Sequence, residues 1–252
     1  MNDTAFVNCY GQNTFSKWKR SWPTVKIVAL ILNIDTATSI GSVCLANDGE
    51  VLQLIRNAEQ KDHAAKLPSF IQQVLDAARI TARDLDAVCV SAGPGSYTGL
   101  RVGAATAKGL CYAWRKPLIA ISTLKMMASG MINTAKERET LYCPMIDARR
   151  MEVFTAVYDA GLQPLLAPQA LILDDSSYSE WLKTKQVLFF GDGAAKWQPA
   201  LAHEPNALFP PYEISAAHMA PLADKAFGQN DFEDLAYFAP HYLKAFFHPG
   251  SK

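Results

Sequence analysis

The chain has 252 residues, half of them apolar and about a fifth charged, a length for one large domain or two ordinary ones and a composition normal for a globular protein. Its 24 Lys and Arg are balanced by 24 Asp and Glu, so no net field draws the chain by itself to nucleic acid or to an anionic membrane. Five scattered cysteines without a CxxC pair argue against a disulfide framework or a zinc site and read as buried thiols of a reducing, cytoplasmic protein.

Residues 1–29 show no usable period and form an expected extension, poorly ordered up to about Val28. The apolar run Val25 to Ile34 is too short to span a bilayer and lacks the order of a signal peptide. Strands are predicted at Ile31–Asp35, Ser42–Ala46 and Val51–Arg56, the last two joined by the turn Asn47-Asp48-Gly49. A helix over Asp62–Ala78 follows from apolar residues at i, i+3, i+4 and i+7, with Pro68 tolerable near its first turn or at a kink. Then come a strand at Leu85–Ser91, a Gly-rich turn, a helix to Trp114, a strand at Pro117–Ile121 and a helix at Thr123–Ala135.

The pattern then restarts. Leu141–Asp147 and Met151–Tyr158 read as a hairpin, followed by a helix at Ser176–Lys183, a strand at Gln186–Phe190, a turn, and helices at Ala194–Leu201 and Met219–Gly228. Asp35 and Asp147, 112 residues apart, each end a first strand and precede a polar turn and a second strand. This implies a duplicated α/β unit with a cleft between lobes, divided as 30–136 and 137–252.

The segment Ser91–Leu110, SAGPGSYTGLRVGAATAKGL, carries the most information. Gly99, Gly103, Ala107 and Cys111 share one helical face. Glycine inside a helix costs about 1 kcal/mol against alanine, so two on one stripe imply that another backbone comes close there, and the stripe reads as a packing surface. Ser96 or Thr98 suits an N-cap, and the loop lacks the Gly-Lys-Ser/Thr of a P-loop.

Other turns leave two readings open. Asp35-Thr36-Ala37-Thr38-Ser39 suits either a phosphate cradle with Mg²⁺ held by the aspartate, or a turn whose hydroxyls satisfy its own backbone. Asp147-Ala148-Arg149-Arg150-Met151-Glu152 is either an anion-facing turn or a hairpin stitched by ion pairs. Gly191-Asp192-Gly193 suits a base or ribose, or a plain strand-to-helix turn. The five histidines form neither HExxH nor HxxxH, and no serine sits in a GxSxG elbow.

DTATSIGSVCL (35–45), the Ser91–Leu110 segment, IDARRMEVF (146–154), FGDGA (190–194) and APHYLKA (239–245) together resemble the TsaB, or YeaZ, family, over roughly Leu30 to Phe247. The resemblance implies an α/β actin-like (Hsp70/ASKHA) fold of two RNase H-like lobes with mixed sheets flanked by helices. It also implies a non-catalytic subunit of the bacterial machinery that makes threonylcarbamoyladenosine at position 37 of tRNA. Such proteins pair with their paralogue TsaD through the first two helices, form homodimers alone by the same surface, join TsaE, and depend on TsaC for the threonylcarbamoyl donor. Carried onto this chain, the pairing surface comprises Leu67, Phe70, Ile71, Val74, Gly99, Arg101, Val102, Gly103, Thr106, Ala107 and Leu110, with Lys108 and Arg101 at its rim. Vestigial phosphate or nucleotide contacts are Asp35, Thr36, Ser39, Gly95, Asp147, Arg149, Gly191, Asp192 and Gly193. No metal site and no cofactor are expected of this chain alone; ATP or ADP belongs to the complex. An ATPase or small-molecule kinase of the actin-like fold, with Asp35, Thr36 and Ser39 on phosphates, is the alternative.

Overall fold

The computed structural model describes residues 28–57, 63–135 and 139–244; the expectation for the N-terminal extension falls on residues outside these. Two five-stranded sheets organise the chain. The first contains β1 (Leu30–Asp35), β2 (Gly41–Asn47), β3 (Glu50–Asn57), β4 (Ala87–Ser91) and β5 (Leu118–Ile121) in the order β3-β2-β1-β4-β5. The second contains β6 (Leu141–Asp147), β7 (Glu152–Tyr158), β8 (Pro164–Ile172), β9 (Val187–Phe190) and β10 (Ala207–Leu208) in the order β10-β9-β6-β7-β8. Read from the hairpin edge, the two orders are the same. In each, three antiparallel strands are followed by two parallel ones, the RNase H-like arrangement. The restart at residue 141 is therefore a structural duplication, and the fold is actin-like.

The strand sequences explain the layers. β1, β2 and β4 are apolar on both faces because both are covered. Leu32, Ile34, Val43, Leu45, Val88 and Val90 face α1 (His63–Ala78) and α2 (Tyr97–Trp114), whereas Ile31, Cys44, Ala46, Ala87 and Cys89 face the opposite way. That second face meets α3 (Thr123–Ala135) and α5 (Ala220–Gly228), and the same core continues into Tyr142, Ile146, Ala156 and Phe190 of the second sheet. The sheets thus share one apolar core. α5 lies late in the chain yet packs on β5, β1 and β2 of the first sheet, while α3 packs on β6 of the second, so each helix covers the sheet built by the other half of the chain.

The second lobe departs from expectation in its helices. Ser176–Lys183 forms only the single turn α4 (Ser179–Leu182), because Asp174 accepts from Ser176 and Ser177 in a tight local turn and Tyr178 then takes a left-handed backbone, φ 66°. Ala194–Leu201 is only a 3-10 turn, Ala194–Lys196; its Trp197 is buried and Pro199 follows. β8 had no clear sequence signal, since Pro164 and Pro168 and two register shifts interrupt its alternation. Its place at the sheet edge is where proline is tolerated.

Candidate functional site

The small-residue stripe on α2 serves the monomer. A side chain at Gly99 would overlap the Thr36 carbonyl oxygen, and one at Gly103 the Thr36 hydroxyl. That hydroxyl donates to the Gly99 carbonyl at 2.7 Å, and Ala107 and Cys111 are fully buried against the first sheet. The close approach that the glycines permit is to the Thr36 end of the chain's own first strand. Gly99, Gly103 and Ala107, placed by the resemblance on the pairing surface, pack within this chain. The same holds for Leu67, Ile71 and Val74 of α1, all buried in that core. Val88, Val90 and Leu32 reward the approach with apolar contact, offsetting the helical cost of glycine.

The Asp35 turn closes on the same segment. Asp35, Thr36 and Ala37 are buried. Three amides of the turn are engaged within the chain: Ala37 N–H donates to Asp35 Oδ1 at 3.0 Å, Thr36 N–H to Ser91 Oγ at 3.5 Å and Ile40 N–H to Thr38 Oγ1 at 3.4 Å. From the facing loop, Ser96 N–H donates to the Ala37 carbonyl at 2.6 Å, and a side chain at Gly95 would overlap that carbonyl. Ser96 caps α2, accepting from Gly99 N–H at 3.2 Å. Ser39 alone of this group is exposed. Asp35, Thr36 and Gly95, named in the sequence as phosphate contacts, thus form a strand-to-helix clasp in this structure.

In the second lobe, Asp147 N–H donates to Asp192 Oδ1 at 3.0 Å, Arg149 N–H to Asp147 Oδ1 at 2.6 Å and Gly193 N–H to the Met145 carbonyl at 3.0 Å. Gly191, at φ 104°, passes so close to β6 that a side chain would overlap the Met145 carbonyl. The acids of this hairpin are not paired by Arg149 and Arg150. Lys196 reaches in, 2.5 Å from Asp147 Oδ1 and 2.7 Å from the Arg150 carbonyl, and Lys244 pairs with Glu152. Arg149 and Arg150 instead sit at the exposed tip with left-handed backbones, φ 73° and 52°. Partial burial works against the Asp147 carboxylate, but Lys196 and the Arg149 amide outweigh it and hold its pKa below the ordinary value. Burial raises that of Asp192, the Asp147 amide opposing and the Asp147 charge adding to the rise.

Residues that the sequence did not single out fill the space between lobes. The Tyr212 ring lies tilted against Phe190, ring centroids 5.0 Å apart, and its hydroxyl lies 2.9 Å from His218 Nδ1. A side chain on Gly130 of α3 would overlap the His218 ring. Ala216 N–H donates to Ser42 Oγ at 2.8 Å, and Arg56 pairs with Glu213 at 2.5 Å. Burial, then the Arg56 charge, lowers the His218 pKa to about 4, and burial with the nearby Asp35 charge raises that of Tyr212. Isolated Tyr and His residues in a loop carry no periodic signal, so this bolt was invisible in the sequence.

The outward side of α2 is a different surface. Arg101 is exposed, and Phe70, Val102, Thr106 and Leu110 are half-buried at the edge of the core. Arg101 lies 4.0 Å over the Tyr97 ring and 3.4 Å from the Tyr242 hydroxyl. Lys108 donates to the Phe238 carbonyl at 2.9 Å. Both cations therefore hold the strap that runs from Glu233 to Tyr242 along α2. Past them, Gly109 faces open space and Tyr112 is 81% exposed. Among the described residues no three His, Cys, Asp or Glu are grouped to hold a metal, and no helix is long and apolar enough to cross a membrane. Cys44, Cys111 and Cys143 are buried, which pushes each thiol up to about 12.

A family model described as "TsaD: tRNA N6-adenosine threonylcarbamoyltransferase" matches residues 55–241. "tRNA threonylcarbamoyladenosine biosynthesis protein TsaB" of Escherichia coli (strain K12) is 30% identical over 234 residues, covering 85% of this chain and 94% of that one. The protein of the same name from Bacillus subtilis (strain 168) is 31% identical over 166 residues, 64% of this chain and 70% of its own. Among solved structures, "YeaZ from Pseudomonas aeruginosa" superposes with a TM-score of 0.70 at 24% identity over 84% of this chain and 100% of that one, a likeness of fold. With sequence similarity along most of its length and the same two-lobed architecture, the chain belongs to the TsaB (YeaZ) family.

Proposed function

We propose that this chain is a non-catalytic subunit of the machinery for threonylcarbamoyladenosine in tRNA, pairing with a TsaD-type subunit through the outer side of α1 and α2. The role in that modification rests on the near full-length likeness to relatives so named. The observation that carries the non-catalytic reading is the Thr36–Gly99 clasp at 2.7 Å. It occupies the strand end where an actin-like enzyme needs free amides and room for phosphate. The shared core and the Tyr212–His218 bolt support it further, because they oppose the hinge opening that a nucleotide cleft requires.

On this reading ATP or ADP is a ligand of the assembly, TsaE joins the assembled pair, TsaC supplies the threonylcarbamoyl donor, and the work is done in the cytoplasm. The isolated chain forms a homodimer through the same helices. The test is co-purification with TsaD, then assay of modified tRNA with and without this chain, alongside calorimetric titration of the isolated chain with ATP and Mg²⁺. The expected result is a complex, modification that depends on it, and no heat of nucleotide binding. Saturable ATP binding with turnover by the isolated chain would overturn the proposal in favour of an ATPase or kinase.

A further inference from the structure

Two tyrosines stand out of the surface beside one lysine. Tyr112 of α2 is 81% exposed and Tyr237 of the strap 86%. Lys108, one helical turn before Tyr112, donates to the carbonyls of Ala236 at 3.4 Å and Phe238 at 2.9 Å, on either side of Tyr237. Phe238 is buried in the core beneath α2, so the strap is anchored and Tyr237 is held outward. Beside it lies a shallow cavity of about 380 Å³ whose lining includes Glu233, Asp234, Tyr237, Pro240 and His241. The carboxylates of Glu233 and Asp234 are exposed, as is that of Asp231. The exposed end of the strap is thus an acidic, aromatic hollow, tied to α2 through Lys108, the residue before Gly109.

We infer that this hollow seats an arginine or lysine side chain of the partner protein that docks on α2. The inference rests on the pairing proposed above and extends that surface onto the strap. Carboxylates at the rim supply charge complementarity, the Tyr237 ring a face for a cation, and rigid exposed tyrosines are the residues that anchor protein interfaces. A basic partner fits this chemistry better than a second copy of this chain, whose corresponding surface carries the same acids.

The test uses the full chain and purified TsaD as the probe, with affinity measured by calorimetry at low and high salt. The double variant Glu233→Lys, Tyr237→Ala alters two exposed side chains and should leave the melting temperature in place. It should weaken pairing at least tenfold and remove most of the salt dependence. Gly109→Glu is the parallel control for the helix face. If Gly109→Glu abolishes pairing and the double variant leaves it unchanged, the hollow has no such role and the pairing proposal stands. If neither variant affects pairing, the docking face itself is wrongly placed. If the double variant changes only the self-association of this chain, the occupant is a second copy and the inference fails.

Discussion

The Thr36 hydroxyl donates to the Gly99 carbonyl at 2.7 Å, across 63 residues of sequence, and there is no room for a side chain at Gly103 beside it. Helix propensity alone says that Gly103→Ala should stabilise α2 by about 1 kcal/mol. Packing against Thr36 reverses the sign. The substitution should cost about 1–3 kcal/mol through overpacking, a fall in melting temperature of roughly 2–4 °C for each kcal/mol. Thermal unfolding of the purified variant is the check, and a rise in melting temperature would refute the clasp.

Gly109, on the same helix, makes the matching control. A side chain there meets nothing within 4 Å, so Gly109→Ala should stabilise by about 0.8–1 kcal/mol, the full propensity gain. The pair of opposite signs on one helix separates its buried stripe from its open side, and urea denaturation of both variants measures it.

Lys196 holds three oxygens of the second hairpin: Asp147 Oδ1 and the carbonyls of Arg150 and Glu152. Lys196→Met keeps the stem but removes the charge, leaving Asp147 and both carbonyls without that donor. The expected cost is about 1–3 kcal/mol, and the Asp147 pKa should rise. In a double-mutant cycle with Asp147→Asn, the coupling should be clearly above the ~0.2–1 kcal/mol of an exposed pair. A coupling near zero would mean that the contact is incidental.

His218 makes the fold sensitive to mild acid. Its pKa falls from 6.5 to about 4 on folding, so the unfolded chain binds more protons between those values. Stability is therefore fully present above about pH 6.5 and is lost as pH drops toward 4, by an amount on the order of 3 kcal/mol at 1.36 kcal/mol per unit. The measurement is the urea midpoint across that range, compared with His218→Gln, whose slope should be shallower. An equal slope in the variant would remove His218 as the cause.

Much of the architecture was legible locally. The end of α2 at Trp114 was legible, and of the two N-cap candidates, Ser96 and Thr98, the helix Tyr97–Trp114 uses Ser96. The strand–Asp–turn–strand restart was legible because β1 and β6 are central, buried strands whose residues before the closing Asp are nearly all apolar. The edge strand β8 was not, since proline and register shifts erase its alternation. The single-turn α4 was not either, because capping by Asp174 competes with helix only once the loop is placed.

What the sequence by itself determined is the elements of the first lobe, the restart at residue 141 and the demand for close approach along Gly99 and Gly103, all consequences of side-chain size and period within a few residues. Only the tertiary structure decided what makes that approach, because Thr36 is distant in sequence and a column of small side chains is equally suited to a strand of its own sheet or to another protein. The contact went to the strand end, and the opposite side of the same helix is left open at Gly109 and Tyr112 beside the C-terminal strap, whose position no local pattern encodes.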